Sequence, residues 1–221
     1  MTITNNLKTI VSKIPEHVTL VAVSKTKPIS DLMEAYNAGQ RVFGENKIQE
    51  MAEKFEAMPK DIEWHMIGHV QTNKVKYMAP FVSLIHSVDS IKLLKEIDKQ
   101  AKKYERTINC LIQIKIAEED SKFGLSTNDA KALITSPEVN KLSNINIVGL
   151  MGMATFTDDE VQLKTEFNKL KNAFDSFKHL QTNNSDLKII SMGMSSDYNI
   201  AIACGSTMIR VGSNIFGERN Y

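Results

Sequence analysis

Branched apolar runs and amphipathic helical stretches take turns along almost the whole chain, and that alternation restricts the fold more than any other feature of the sequence. A leading amphipathic segment carries Leu7, Ile10, Val11 and Ile14, and a strand is expected over Val18–Ser24. Ser30 is the expected cap of a helix reaching about Ala38, where Gly39 stops it. Further strands are expected at Arg41–Gly44, Ile62–Gly68, Phe81–His86, Ile108–Ile116, Asn146–Met151, Leu187–Met192 and Thr207–Val211. Helices fall between them, near Lys47–Ala57, near Asn73–Met78, along the stripe Ile91, Leu94, Ile97, Ala101 and Tyr104, and from about Asp197 to Ala203. Ser126-Thr127-Asn128-Asp129 and Thr157-Asp158-Asp159-Glu160 read as capping boxes that open two more. About eight strands, each but the last followed by a helix, require parallel pairing with right-handed crossovers. Eight such units close into a (β/α)8 TIM barrel, so an α/β fold in one domain over 1–221 is expected. An open doubly wound sheet is the main competitor, but it usually has a glycine fingerprint after its first strand. Here that turn is Ser24-Lys25-Thr26-Lys27-Pro28, without glycine.

Composition removes several functions. The 27 basic and 26 acidic side chains nearly cancel, so the overall field favours neither nucleic acid nor an anionic membrane as a partner. The N-terminus lacks a basic region followed by an apolar core, and no apolar run approaches the roughly 20 residues of a spanning helix. Cys110 and Cys204 both sit in apolar company and read as reduced thiols, which points to the cytoplasm.

In such a barrel the chemistry lies at the C-terminal ends of the strands, with phosphate sites after the seventh and eighth. Lys25 ends the first strand, Asn46 follows the second, and His86 ends the fourth. Met194 and Ser195 follow the seventh, and Arg210, Gly212 and Ser213 close the eighth. An amine, a guanidinium and glycine-hydroxyl turns suited to phosphate together suggest pyridoxal 5′-phosphate (PLP) held as a Schiff base on Lys25. A lysine attacks an aldehyde only as the neutral amine, so its ordinary pKa of about 10.4 must fall. Lys27 and Lys115 are the candidate neighbouring cations. Arg210 as partner of the pyridine nitrogen would leave that nitrogen unprotonated and make the ring a weaker electron sink. His65 and His69 have the i, i+4 spacing of a helical metal pair but fall on a strand and its turn, so no metal site is expected.

The chain resembles the pyridoxal phosphate homeostasis protein family, single-domain relatives of the alanine racemase barrel. The resemblance is carried by Ala22-Val23-Ser24-Lys25-Thr26-Lys27-Pro28, by Phe43-Gly44-Glu45-Asn46 with Gln49-Glu50, and by Trp64-His65-Met66-Ile67-Gly68. It continues in Ser191-Met192-Gly193-Met194-Ser195 and Gly205-Ser206-Thr207-Met208-Ile209-Arg210-Val211-Gly212. It implies a cofactor linked to Lys25, phosphate contacts from Met194, Ser195, Gly212 and Ser213, and Arg210 near the ring nitrogen. Lys115 and Asn199 depart from the pattern, standing where a small polar and an acidic residue are more usual.

The resemblance implies a PLP carrier that supplies apo-enzymes, without a robust reaction of its own and monomeric. A racemase-like enzyme is the alternative, and a phosphate-sugar barrel enzyme a third reading. Two-base racemisation needs an acid/base on each face of the ring. In the racemase relatives the second is a tyrosine from another domain, whereas Tyr221 lies at the end of this chain.

Overall fold

In the computed structural model, which describes residues 2–119, 123–180 and 182–218, eight parallel strands close into a barrel in sequence order. Tyr221 lies outside the described residues. The leading helix α1 (Ile3–Val11) is capped by the Thr2 hydroxyl, which accepts from Asn5 N. The repeating units are β1 (Thr19–Val23) with α2 (Ile29–Asn37), β2 (Val42–Glu45) with α3 (Ile48–Ala57), and β3 (Glu63–Met66) with α4 (Val75–Met78). They continue as β4 (Leu84–Val88) with α5 (Ile91–Lys103), β5 (Ile108–Gln113) with α6 (Thr127–Thr135), and β6 (Ile145–Met151) with α7 (Glu160–Phe177). The ring finishes with β7 (Ser185–Ser191), α8 (Tyr198–Ala203), β8 (Met208–Val211) and a single helical turn, α9 (Ser213–Phe216). The last strand is thus also followed by helix, a turn too short to show in an apolar period.

Strand alternation sorts the side chains into two cores. Val21, Leu84, Leu111, Met151 and Met208 pack together within the barrel. Leu20, Ala22, Phe43, Trp64, Ile112, Leu150 and Ile209 belong to the larger core between strands and helices. Gly44 is required where β1 and β2 meet, because a Cβ there would come 2.8 Å from Val21 Cγ1.

Several boundaries differ from expectation. Phe81 and Val82 belong to the turn leaving α4, with both amides donated to Met78 O. The fourth strand therefore starts later and runs on to Val88. Pro28, not Ser30, occupies the cap of α2, where its fixed φ suits the start of a helix. Asp159 caps α7 by accepting from Val161 N and Gln162 N. Ser126 does cap α6.

Candidate functional site

A cavity of about 520 Å³ opens at the C-terminal ends of the strands. That is the size of a small-molecule site, typically about 300–1,000 Å³. Parity places its contents: Val21, Val23 and Lys25 follow one another on the inner side of β1 and its continuation, and Met208, Arg210 and Gly212 do so on β8. Closure of the ring makes β1 and β8 neighbours, with Val21 opposite Arg210. Lys25, Asn46, Met194, Ser195, Arg210, Gly212 and Ser213 all line the cavity.

His86 does not line it. Because β4 continues to Val88, His86 sits mid-strand and is fully buried one layer below the cavity. Its Nδ1 lies 3.0 Å from Ser191 Oγ and its Nε2 3.1 Å from His65 Nδ1. Ser191 Oγ in turn accepts from Arg210 Nη1 at 2.5 Å, so His86 reaches the site only through Ser191 and Arg210. Burial lowers His65 to about 3. Burial first, then His65 and Arg210, hold His86 well below the usual imidazole range. Both rings are neutral at physiological pH.

Arg210 is 4% exposed, and Nη2 donates to Gly152 O at 3.1 Å. Burial lowers its guanidinium to about 10, while Asp197 pulls the other way, so it stays charged at neutral pH. Asp197, which the sequence marks only as the start of a helix, also ties down the turn after β7. Its Oδ1 accepts from Met194 N at 2.5 Å, and burial raises its carboxyl against the pull of that bond and of Arg210. Met194, which the resemblance assigns to the phosphate, lines the cavity with its amide donated to Asp197. Gly212 N donates to Ser195 Oγ at 3.2 Å, and Asn214 Nδ2 to Ser195 O at 2.9 Å, which ties the turns after β7 and β8 together. Gly193, at φ +96°, lets the first of these turns form; a Cβ there would also come 2.7 Å from Ala201 Cβ.

Lys27 adds a second ammonium to the wall, donating to Phe216 O at 3.0 Å and Glu218 O at 2.8 Å. Lys115 is not among the lining residues, and Asn199 lies exposed on α8. The opposite rim is apolar and was not foreseen: Ile67, Met153, Phe123 and Phe156. His69 also stands there, 5.7 Å from the Phe123 ring, whereas His65 is buried with its Nδ1 3.1 Å from His86 Nε2.

The donor set suits PLP. It combines an amine for the aldehyde, a buried fixed cation for the ring nitrogen, and serine hydroxyls on two joined turns for the phosphate. These features define a class: closed (β/α)8 barrels with a lysine at the end of the first strand and an arginine on the last. The chain belongs to the alanine racemase N-terminal domain family, whose description matches residues 1–220. It is 38% identical to the pyridoxal phosphate homeostasis protein of Pasteurella multocida over 95% of this chain and 91% of that one. Against the protein of the same name from Haemophilus influenzae it is 39% identical over 92% and 86%. Among solved structures, PipY of Synechococcus elongatus with PLP bound superposes with a TM-score of 0.88 at 34% identity, over 98% of this chain and all of PipY. The alanine racemase of Clostridium difficile shares the fold, with a TM-score of 0.82 at 15% identity, and the chain covers 60% of it.

Proposed function

We propose that this protein binds PLP in the cavity, carries it on Lys25 and takes part in keeping and distributing the cellular PLP supply. The observation that carries the reading is that Lys25, Arg210, Ser195 and Ser213 meet in one cavity although they come from both ends of the chain. The relatives named for PLP homeostasis, and PipY with PLP bound, support it. When bound, PLP supplies an electrophilic aldehyde. Lys25 would hold the cofactor through that aldehyde, its amine taking the place of the carbonyl oxygen, which would leave as water. Release to water would return the free aldehyde, whereas hand-over to a lysine amine of a recipient apo-enzyme would exchange one amine for the other; either way Lys25 would be returned to its amine form. Arg210 would hold the ring nitrogen as a hydrogen-bond donor, and Ser195 and Ser213 would hold the phosphate, beside Gly212, where a Cβ would crowd Val23 O at 3.2 Å. Asn46 fixes the mouth through its backbone, against which a Cβ at Gly68 would lie 2.4 Å from Asn46 O.

The same reading makes 1–221 one cofactor-binding domain, monomeric and cytoplasmic, with Cys110 and Cys204 as free thiols. Among the described residues no helix is long and apolar enough to cross a membrane.

Purified protein mixed with PLP should show a visible absorption band that Lys25→Ala lacks and borohydride bleaches. A colourless wild-type protein that takes up no PLP would overturn the reading. Solvent-deuterium exchange at the α-carbon of an amino acid, if rapid, would replace carriage with turnover.

A further inference from the structure

Behind the strand end that presents Lys25 lies a buried ionic cluster that the site itself does not use. Glu45 and Lys54 have side chains 0% and 6% exposed. The three donors of the Lys54 ammonium are all engaged: Ser24 O at 2.8 Å, Glu45 Oε1 at 2.8 Å and Glu50 Oε1 at 2.8 Å. Ser24 Oγ donates to Glu45 Oε1 at 2.6 Å. Thr26 N donates to Glu50 Oε1 at 2.6 Å. The cluster thus grips the residue before Lys25 by its carbonyl and hydroxyl, and the residue after it by its amide.

Stability alone does not account for this arrangement. A buried ion pair is often matched or bettered by apolar residues of the same size. Here Glu45 Oε2 is buried without a hydrogen-bond partner, a further cost. Thr26 has φ +63°, a left-handed conformation that is unfavourable for a β-branched residue. Both costs fall on the two residues touching Lys25 or on their direct partners. Strand parity gives the reason: Ser24 faces the helices and Lys25 faces the cavity, so a clamp placed between β2 and α3 can fix the lysine without entering the site.

We infer that Glu45, Glu50 and Lys54 are positioning residues that set the Ser24-Lys25-Thr26 turn so that the Lys25 amine is held ready for the aldehyde. The inference rests on the proposed attachment of PLP to Lys25. Glu50 is the decisive member, because it is only partly buried and alone holds the strained Thr26 amide.

The test compares Glu50→Ala with Glu50→Gln, since glutamine keeps a carbonyl oxygen for Thr26 N and Lys54. Glu50→Ala should lower the equilibrium constant for PLP attachment, read from the visible band, by about tenfold, the effect of one lost charge-assisted hydrogen bond. Pyridoxamine phosphate has no aldehyde and reports the phosphate and ring contacts alone; its affinity should change by less than about twofold. Glu50→Gln should recover most of the attachment. In the cofactor-free protein, amide exchange at Thr26 should accelerate in Glu50→Ala and return towards wild type in Glu50→Gln. Wild-type attachment in Glu50→Ala, equal losses of PLP and pyridoxamine phosphate, or no recovery with glutamine would each overturn the inference. The exchange measurement needs no cofactor, so it judges the clamp even if wild-type protein takes up no PLP, a result that would defeat the proposed function.

Discussion

Arg210 shows how one residue serves two layers of the barrel. Its guanidinium is fixed by Ser191 and Gly152, and the residue also lines the cavity, with N–H groups left over beyond those two bonds. Arg210→Gln should weaken PLP binding by about 1.5–3 kcal/mol, the worth of a hydrogen bond to a charged group. Equilibrium titration with PLP, followed by visible absorption, measures this, and an unchanged affinity would remove Arg210 from the ring. Sequence reading found Arg210 and Lys25 because each is a charge at the end of an apolar strand. It missed Glu45 and Lys54, although both break a local pattern. Glu45 takes the helix-facing parity of Phe43, and Lys54 falls on the buried stripe of α3 with Ile48 and Met51. A charge on an apolar stripe was the available signal. Its partner lay on a different element and could be paired with it only through the fold.

At the scale of the element, the loops after β5 and β6 matter most, because they bring Phe123 and Phe156 to the cavity rim while leaving them 63% and 83% exposed. Glu166, buried on α7, holds both loops: its carboxylate accepts from Glu118 N at 3.1 Å, Thr155 N at 2.7 Å and Thr155 Oγ1 at 2.7 Å. Burial works to raise its pKa, but the bonds from Thr155 and Glu118 prevail and lower it. Glu166→Ala leaves those amides without their acceptor and should destabilise the protein by roughly 2–4 kcal/mol. Urea unfolding reads the loss, and limited proteolysis should shift to the Phe156 loop. Asp159→Ala, which removes the α7 cap, should cost only about 1 kcal/mol in the same assay. Element order was legible in the sequence because apolar period separates strands from helices. The start of β4 was not, since Phe81 and Val82 are apolar whether they sit in a turn or in a strand.

For the whole molecule, the neutral histidines inside the barrel set an acid limit. The imidazole of His65 is held at about 3, against 6.5 for the ordinary group. Between these values the unfolded chain binds a proton that the folded one refuses, so stability is full above about pH 6.5 and falls on acidification. The slope from this group approaches about 1.4 kcal/mol per pH unit. Urea midpoints taken from neutral to mildly acid pH should show it. His65→Gln should flatten the dependence without abolishing it, because His86 is lowered too. The seam between β1 and β8 also decides when the cavity exists at all. Lys25 follows the first strand of the ring and Arg210 lies on the last, and they share a cavity only once those two strands pair. A barrel that opened at this one seam would keep every other strand pairing and still pull the two side chains apart, so the pocket reports on closure of the ring.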